Sequence, residues 1–116
     1  MTCGTSQGDL VILVPDKSWQ VTVKTLLEKR WRQLGIRRII FKPFVHPNRD
    51  PGVYQRAAEF LRPFIRYYSH ALVILDERWE GSPGAGQIPS KIQADLDRNG
   101  WEHRSEVIVV VPELEN

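Results

Sequence analysis

Five apolar residues, Ala71 to Leu75, run without a polar break into Asp76, and the glycine-rich loop Gly81–Gly86 follows. A run this short, with Val and Ile in it, is too brief for a helix of its own and reads as a strand buried on both faces. Three further strands are expected at Asp9–Val14, Arg37–Phe44 and Glu106–Val111, and the segments between the four carry helix-spaced apolar residues. The order β-α-β-α-β-α-β favours a mostly parallel four-stranded sheet with right-handed crossovers and helices on both faces. In such α/β sheets, ligands bind beyond the carboxyl ends of the strands, so a carboxylate following Leu75 stands where a functional group is expected.

The punctuation between elements supports the same order. Pro15 stops the first strand, and Ser18 can cap a helix whose inner face is Trp19, Val23, Leu26, Leu27, Trp31 and Leu34, with Gly35 as its stop. Pro43 favours an edge position or an early stop for the second strand. Asp50-Pro51-Gly52 reads as a helix start, with Asp50 as the cap and Pro51 at the first helical position. Val53, Ala57, Leu61, Phe64, Ile65 and Tyr68 mark that helix's apolar face, and Pro63 should bend it or end its regular part. A third helix begins near Pro89, turns Ile92 and Leu96 inward and ends at Gly100, while Pro112 halts the last strand. With 116 residues the chain makes one domain, expected over 9–116, with residues 1–8 small, polar and disordered.

Composition excludes several classes. Apolar content of 41% and charged content of 26% are ordinary for a globular chain. No stretch approaches a membrane span and the start lacks a charged-then-apolar leader, so a cytoplasmic location is expected. The single cysteine, Cys3, rules out an internal disulfide and a thiolate metal site. A net charge of +2 conceals a segregation: residues 17–66 hold twelve Lys or Arg against three acids, whereas residues 67–116 hold four against nine. One half suits a polyanion, the other a cation or a basic partner; differently charged solvated faces are the plain alternative.

Acids collect where the strands end. Asp16 follows the first strand, Asp50 the loop after the second, Asp76, Glu77 and Glu80 the third, and Glu113 and Glu115 the fourth. Hard cations such as Mg²⁺ take oxygen ligands, and one or two carboxylates with substrate phosphates suffice. Asp16 can equally sit in a turn or cap a helix, and Asp50 is better explained as a cap. Asp76 is harder to dismiss, because a carboxylate against a buried strand is costly unless paired or coordinated. His46 has no neighbouring His or Cys, which argues against zinc and for hydrogen bonding within its own loop. The loop GSPGAG is neither a P-loop nor a dinucleotide fingerprint, and no Ser-His-Asp or Cys-His set is legible. On the basic side, Arg30, Arg37, Arg38, Arg49, Arg56, Arg62 and Arg66 are candidate nucleic-acid contacts, since Arg suits bidentate phosphate recognition. Tyr54, Tyr67 and Tyr68 could offer stacking faces.

VHPNRDPG, HALVILDERWEG and the closing VVVPELE together resemble a group of bacterial proteins encoded with methylation-associated phage-defence systems. That group is similar to Toprim-like domains, the α/β domains of topoisomerases, primases and overcoming-lysogenization-defect nucleases. The resemblance runs from Leu10 onward. In Toprim domains a Glu after the first strand and an Asp-x-Asp after a later one hold Mg²⁺ for phosphodiester chemistry. Asp76 matches the first Asp; Arg78 stands in place of the second, with Glu77 and Glu80 as substitutes; Asp16 takes the place of the Glu with a shorter arm. In the defence-associated group the chain continues beyond Pro-Glu-Leu-Glu, so the resemblance leaves open a truncated product or a fragment of a larger unit.

Three functions follow as expectations. The first is a Toprim-like domain acting on or binding nucleic acid in antiviral defence, with Asp76 and Glu113 as catalytic residues. Its Mg²⁺ would be held by Asp16, Asp76, Glu77, Glu113 and Glu115. The second is a non-catalytic module that recruits other defence-system subunits through its basic half. The third is a flavodoxin-like module that takes a small phosphorylated ligand at Gly81–Gly86.

Overall fold

A computed structural model of the chain describes residues 8–29, 40–79, 81–84 and 86–111. Four strands and three helices alternate: β1 (Gly8–Val14), α1 (Lys17–Lys29), β2 (Phe41–Val45), α2 (Arg49–Leu61), β3 (Tyr68–Asp76), α3 (Ile88–Leu96) and β4 (Ser105–Val110). A 3₁₀ turn at Arg62–Phe64 follows α2, where Pro63 ends the regular helix, and a wider turn at Asp97–Trp101 follows α3. The strands form one sheet in the order β2-β1-β3-β4, every pair parallel. The expected α/β fold is thus present. The first strand begins at Gly8, whose N–H donates to the Tyr67 carbonyl at 3.0 Å, one residue earlier than the sequence reading placed it.

Alternation along β1 divides the core into two layers. Val11 and Leu13 join Val73 and Leu75 of β3 beneath α2 and α3, packing against Val53, Leu61, Ile88, Ile92, Leu96 and Trp101. Ile12 and Val14 point the other way, with Ile74, towards Val23, Trp19 and Leu27 of α1. β1 and β3 are central and their inner residues fully buried, as their unbroken apolar runs require. β2 and β4 are the edges. Pro43, which cannot donate to a ladder, occupies β2, and its carbonyl accepts from the Gln20 side chain of α1 at 2.9 Å. α1 rests on β1 and β2, leaving an apolar hollow beside it floored by Leu72, Ile74 and Ile108. No described helix is long and apolar enough to cross a membrane.

The amino-terminal rim of the sheet is fastened by Arg104, a residue the sequence did not single out. Its guanidinium donates to the carbonyls of Ile65 (3.1 Å), Ser69 (3.2 Å), Tyr68 (3.3 Å) and Gly100 (3.4 Å), and lies 4.6 Å from the centre of the Trp101 ring. A planar five-donor fork suits that task and a lysine does not. Gly100 has a φ of 97°, and a side chain there would collide with Ile65 Cδ1. Arg104→Lys is therefore expected to lower unfolding free energy by about 2 kcal/mol, the scale of one or two lost hydrogen bonds to a charged group. Gly100→Ala should cost roughly 1–3 kcal/mol from the left-handed backbone and the collision. Urea denaturation of each variant checks both, with the exposed Arg98→Lys as the reference that should move little.

Candidate functional site

The strand order creates one place where the connections part. From β1 the chain leaves through α1 on one face towards β2; from β3 it leaves through α3 on the other face towards β4. The carboxyl ends of β1 and β3 flank the crevice between those departures, the usual ligand position in an open parallel sheet.

Three carboxylates from separate segments meet there. Pro15 ends β1, and Asp16 then accepts the Trp19 N–H on Oδ1 at 2.9 Å, capping α1. The helix cap is thus Asp16, and Ser18, the expected cap, lies inside the first turn. Asp76 is the last residue of β3, and its Oδ1 accepts the Arg78 N–H at 3.4 Å. Asp50 does not cap α2: the helix opens at Arg49, in a left-handed conformation (φ 59°), with Asn48 before it making no side-chain cap. The Asp50 carboxylate instead crosses to β3 and accepts the backbone N–H of Asp76 at 3.0 Å.

Burial pushes the Asp50 carboxyl above its ordinary value; the hydrogen bond from Asp76 opposes the rise, and the negative charges of Asp76 and Asp16 add to it. Asp76 and Asp16 each keep a second oxygen, Oδ2, with no hydrogen bond among the described residues. Among the described residues no three Asp, Glu, His or Cys side chains close into a metal cage. A water-rich Mg²⁺ site needs only one or two carboxylates, fewer than a full protein cage.

The other expected site residues divide by position. Glu77 follows Asp76, half-buried, its N–H donating to the Val110 carbonyl at 3.0 Å. Glu80, Glu113 and Glu115 lie outside the described residues, as do Arg30, Arg37 and Arg38. Arg49, Arg56, Arg62 and Arg66 are all exposed, but they are not gathered into one patch. Arg49 opens α2 at the crevice end; Arg62 follows the helix's other end, beyond a kink at Arg56 (φ −134°, ψ 26°), and donates to Asn99 Oδ1 at 3.2 Å. Arg66 sits just before β3, at that same far rim. Of the tyrosines, Tyr68 is buried and Tyr54 packs 5.5 Å from Trp79 with Lys91 Nζ 5.0 Å from its ring centre, which leaves Tyr67 exposed.

His46 completes the rim after β2. It is 4% exposed, and its Nδ1 accepts the Asn48 N–H at 3.0 Å, the bond within its own loop that its isolation in the sequence suggests. Burial holds its pKa below the ordinary histidine value, the Arg56 charge adds to that, and Glu59 opposes it. Gly52 makes the packing possible, because any side chain there would strike the imidazole.

The bond from Asp76 to Asp50 yields a test with opposite signs. Folding raises the Asp50 pKa above 3.8, so the native state holds this proton more tightly than the unfolded chain. Its contribution to stability is fully present below the unfolded value and is lost as pH rises through the native one. Asp50→Asn keeps the acceptor and removes the charge; it should raise the melting temperature at pH 7, with the gain fading as pH falls towards 4. Asp50→Ala leaves the Asp76 N–H without its partner and should destabilise by about 1–3 kcal/mol.

Comparison of the chain with protein-family models, with curated proteins and with solved structures returned no match, so the site's chemistry is read from its own side chains.

Proposed function

We propose that the chain is a Toprim-like domain that binds nucleic acid through a divalent cation held at the crevice between β1 and β3, in bacterial antiviral defence. The observation that carries the cation is the placing of Asp16, Asp50 and Asp76 about one crevice, where burial raises the Asp50 carboxyl and the charges of Asp76 and Asp16 add a smaller push that a hard cation would relieve. Asp76 and Asp16 offer the free oxygens, with Glu77 beside them. The polyanion half of the proposal rests on the Arg-rich first half of the chain, and the defence setting on the resemblance of VHPNRDPG and HALVILDERWEG. In the catalytic form of this reading Asp76 and Glu113 serve the reaction, and Glu115 adds to the metal ligands. Bound Mg²⁺ supplies charge to offset the phosphodiester and an activated water.

A second reading has specific support. The order β2-β1-β3-β4 places its crevice where doubly wound domains take small phosphorylated ligands, and the same cation would bridge to such a phosphate.

Fluorescence anisotropy with DNA and RNA oligonucleotides, with and without Mg²⁺, separates the two. Mg²⁺ should tighten oligonucleotide binding, and Asp76→Asn should weaken the Mg²⁺-supported binding at least about tenfold, or 1.4 kcal/mol. Oligonucleotide binding indifferent to Mg²⁺ and to Asp76→Asn overturns the cation reading. Thermal shifts with nucleotides and none with oligonucleotides favour the second. Cleavage of an oligonucleotide with Mn²⁺ that survives Asp76→Ala removes the catalytic form.

A further inference from the structure

Beside the loop after β2 lies a cavity of about 230 Å³ that shares no residue with the carboxylate crevice. His46, Asn48, Arg56, Glu59 and Phe60 line it. That volume is below the range of whole-ligand pockets and suits one group of a larger ligand.

The polar groups on its wall are unspent. Because Nδ1 of His46 accepts a backbone N–H, the ring proton of the neutral imidazole sits on Nε2. This Nε2–H finds no acceptor among the described residues, and although the residue is only 4% exposed, Nε2 is not sealed off as the unpaired indole N–H groups of Trp79 and Trp101 are. Phe60, with ring centres 5.3 Å apart, and the bare Cα of Gly52 hold the imidazole in that orientation. Arg56 makes no hydrogen bond or ion pair with a described residue, so its guanidinium is equally uncommitted. A neutral N–H donor and a cation on one small wall fit an oxyanion. Glu59 at the same wall opposes a second negative charge, which selects a singly charged oxyanion over a dianion.

We infer that the cavity beside His46 is a subsite for a phosphodiester of a nucleic-acid strand, its oxygens taken by His46 Nε2–H and the Arg56 guanidinium. A phospholipid headgroup carries the same diester, but the large exposed apolar side chains, Val21, Leu26, Ile40, Tyr67, Ile108 and Val111, lie neither on α2 nor in the loop before it. Among the described residues only Pro47 and Phe60 are apolar at the cavity, too little surface to enter a bilayer. The inference stands whether or not the crevice holds a cation, and its test is run in EDTA.

Dimethyl phosphate is titrated into the full chain while the histidine side-chain and Asn48 amide signals are followed by ¹H–¹⁵N NMR. A saturable shift of the His46 ring signals is expected, with sulfate at equal ionic strength binding several-fold more weakly. Arg56→Gln should weaken dimethyl phosphate binding about tenfold, Glu59→Gln should tighten it, and Arg62→Gln, an equal loss of charge at the far end of α2, should leave it unchanged. The Asn48 amide signal confirms that each variant keeps its loop. An oligothymidylate should compete with dimethyl phosphate, and phosphatidylglycerol vesicles should not. The inference is overturned by a shift that does not saturate, by equal effects of Arg56→Gln and Arg62→Gln, by weakening in Glu59→Gln, or by competition from the vesicles alone.

Discussion

One hydrogen bond joins the parts on which everything at the rim depends: the Asp76 N–H at the end of β3, donated to the carboxylate of Asp50 in the first turn of α2. It spans twenty-six residues of chain and settles where α2 begins relative to the central strands. Remove it and Asp76 has a backbone donor with no partner, while α2 loses its tether at the crevice. The bond also brings a second carboxylate against the first, and with Asp16 a third, into a partly buried place. Structure and electrostatic tension therefore come from the same contact.

The same turn of α2 serves the neighbouring cavity. Gly52, two residues after Asp50, is where the His46 imidazole packs, and a methyl group there would displace it. The backbone between them is tight: Arg49 donates to the His46 carbonyl at 3.1 Å and Gly52 to that of Asn48 at 3.3 Å. Asp50-Pro51-Gly52 thus does two unlike jobs. Its Asp reaches inward to β3, and its Gly makes room for a ring that faces the other way.

Much of the architecture was legible because it depends on local rules. Apolar runs closed by Pro15 and Asp76 gave β1 and β3, Pro43 marked an edge strand, and Pro89 marked the start of α3. Strand order was not legible, since the same alternation of elements is compatible with several right-handed windings. Side-chain roles failed where two local rules competed or a distant partner won. Ser18 and Asp16 were both good caps, and Asp16 prevailed because it immediately precedes the first helical residue. Asp50 had every mark of a cap, yet the N–H of Asp76 holds it, and no spacing rule reports a partner twenty-six residues on. Arg104 was invisible for a related reason: its acceptors are backbone carbonyls, which carry no residue identity. The linear charge segregation proved a poor guide to the crevice, since Asp16 and Asp50 belong to stretches outside the acid-rich half.

The helix that carries Asp50 sharpens the electrostatic contrast at the crevice. A carboxylate in the first turn of a helix ordinarily gains from the partial positive charge of the free N–H groups there, by about 0.3–1 kcal/mol. Asp50 also accepts a well-formed backbone hydrogen bond, which again favours the ionised form. Both effects push its pKa down, yet the net displacement is upward. Burial and the two like charges must therefore outweigh the helix and the hydrogen bond together. Of these, burial is the largest, and the charges of Asp76 and Asp16 add to it.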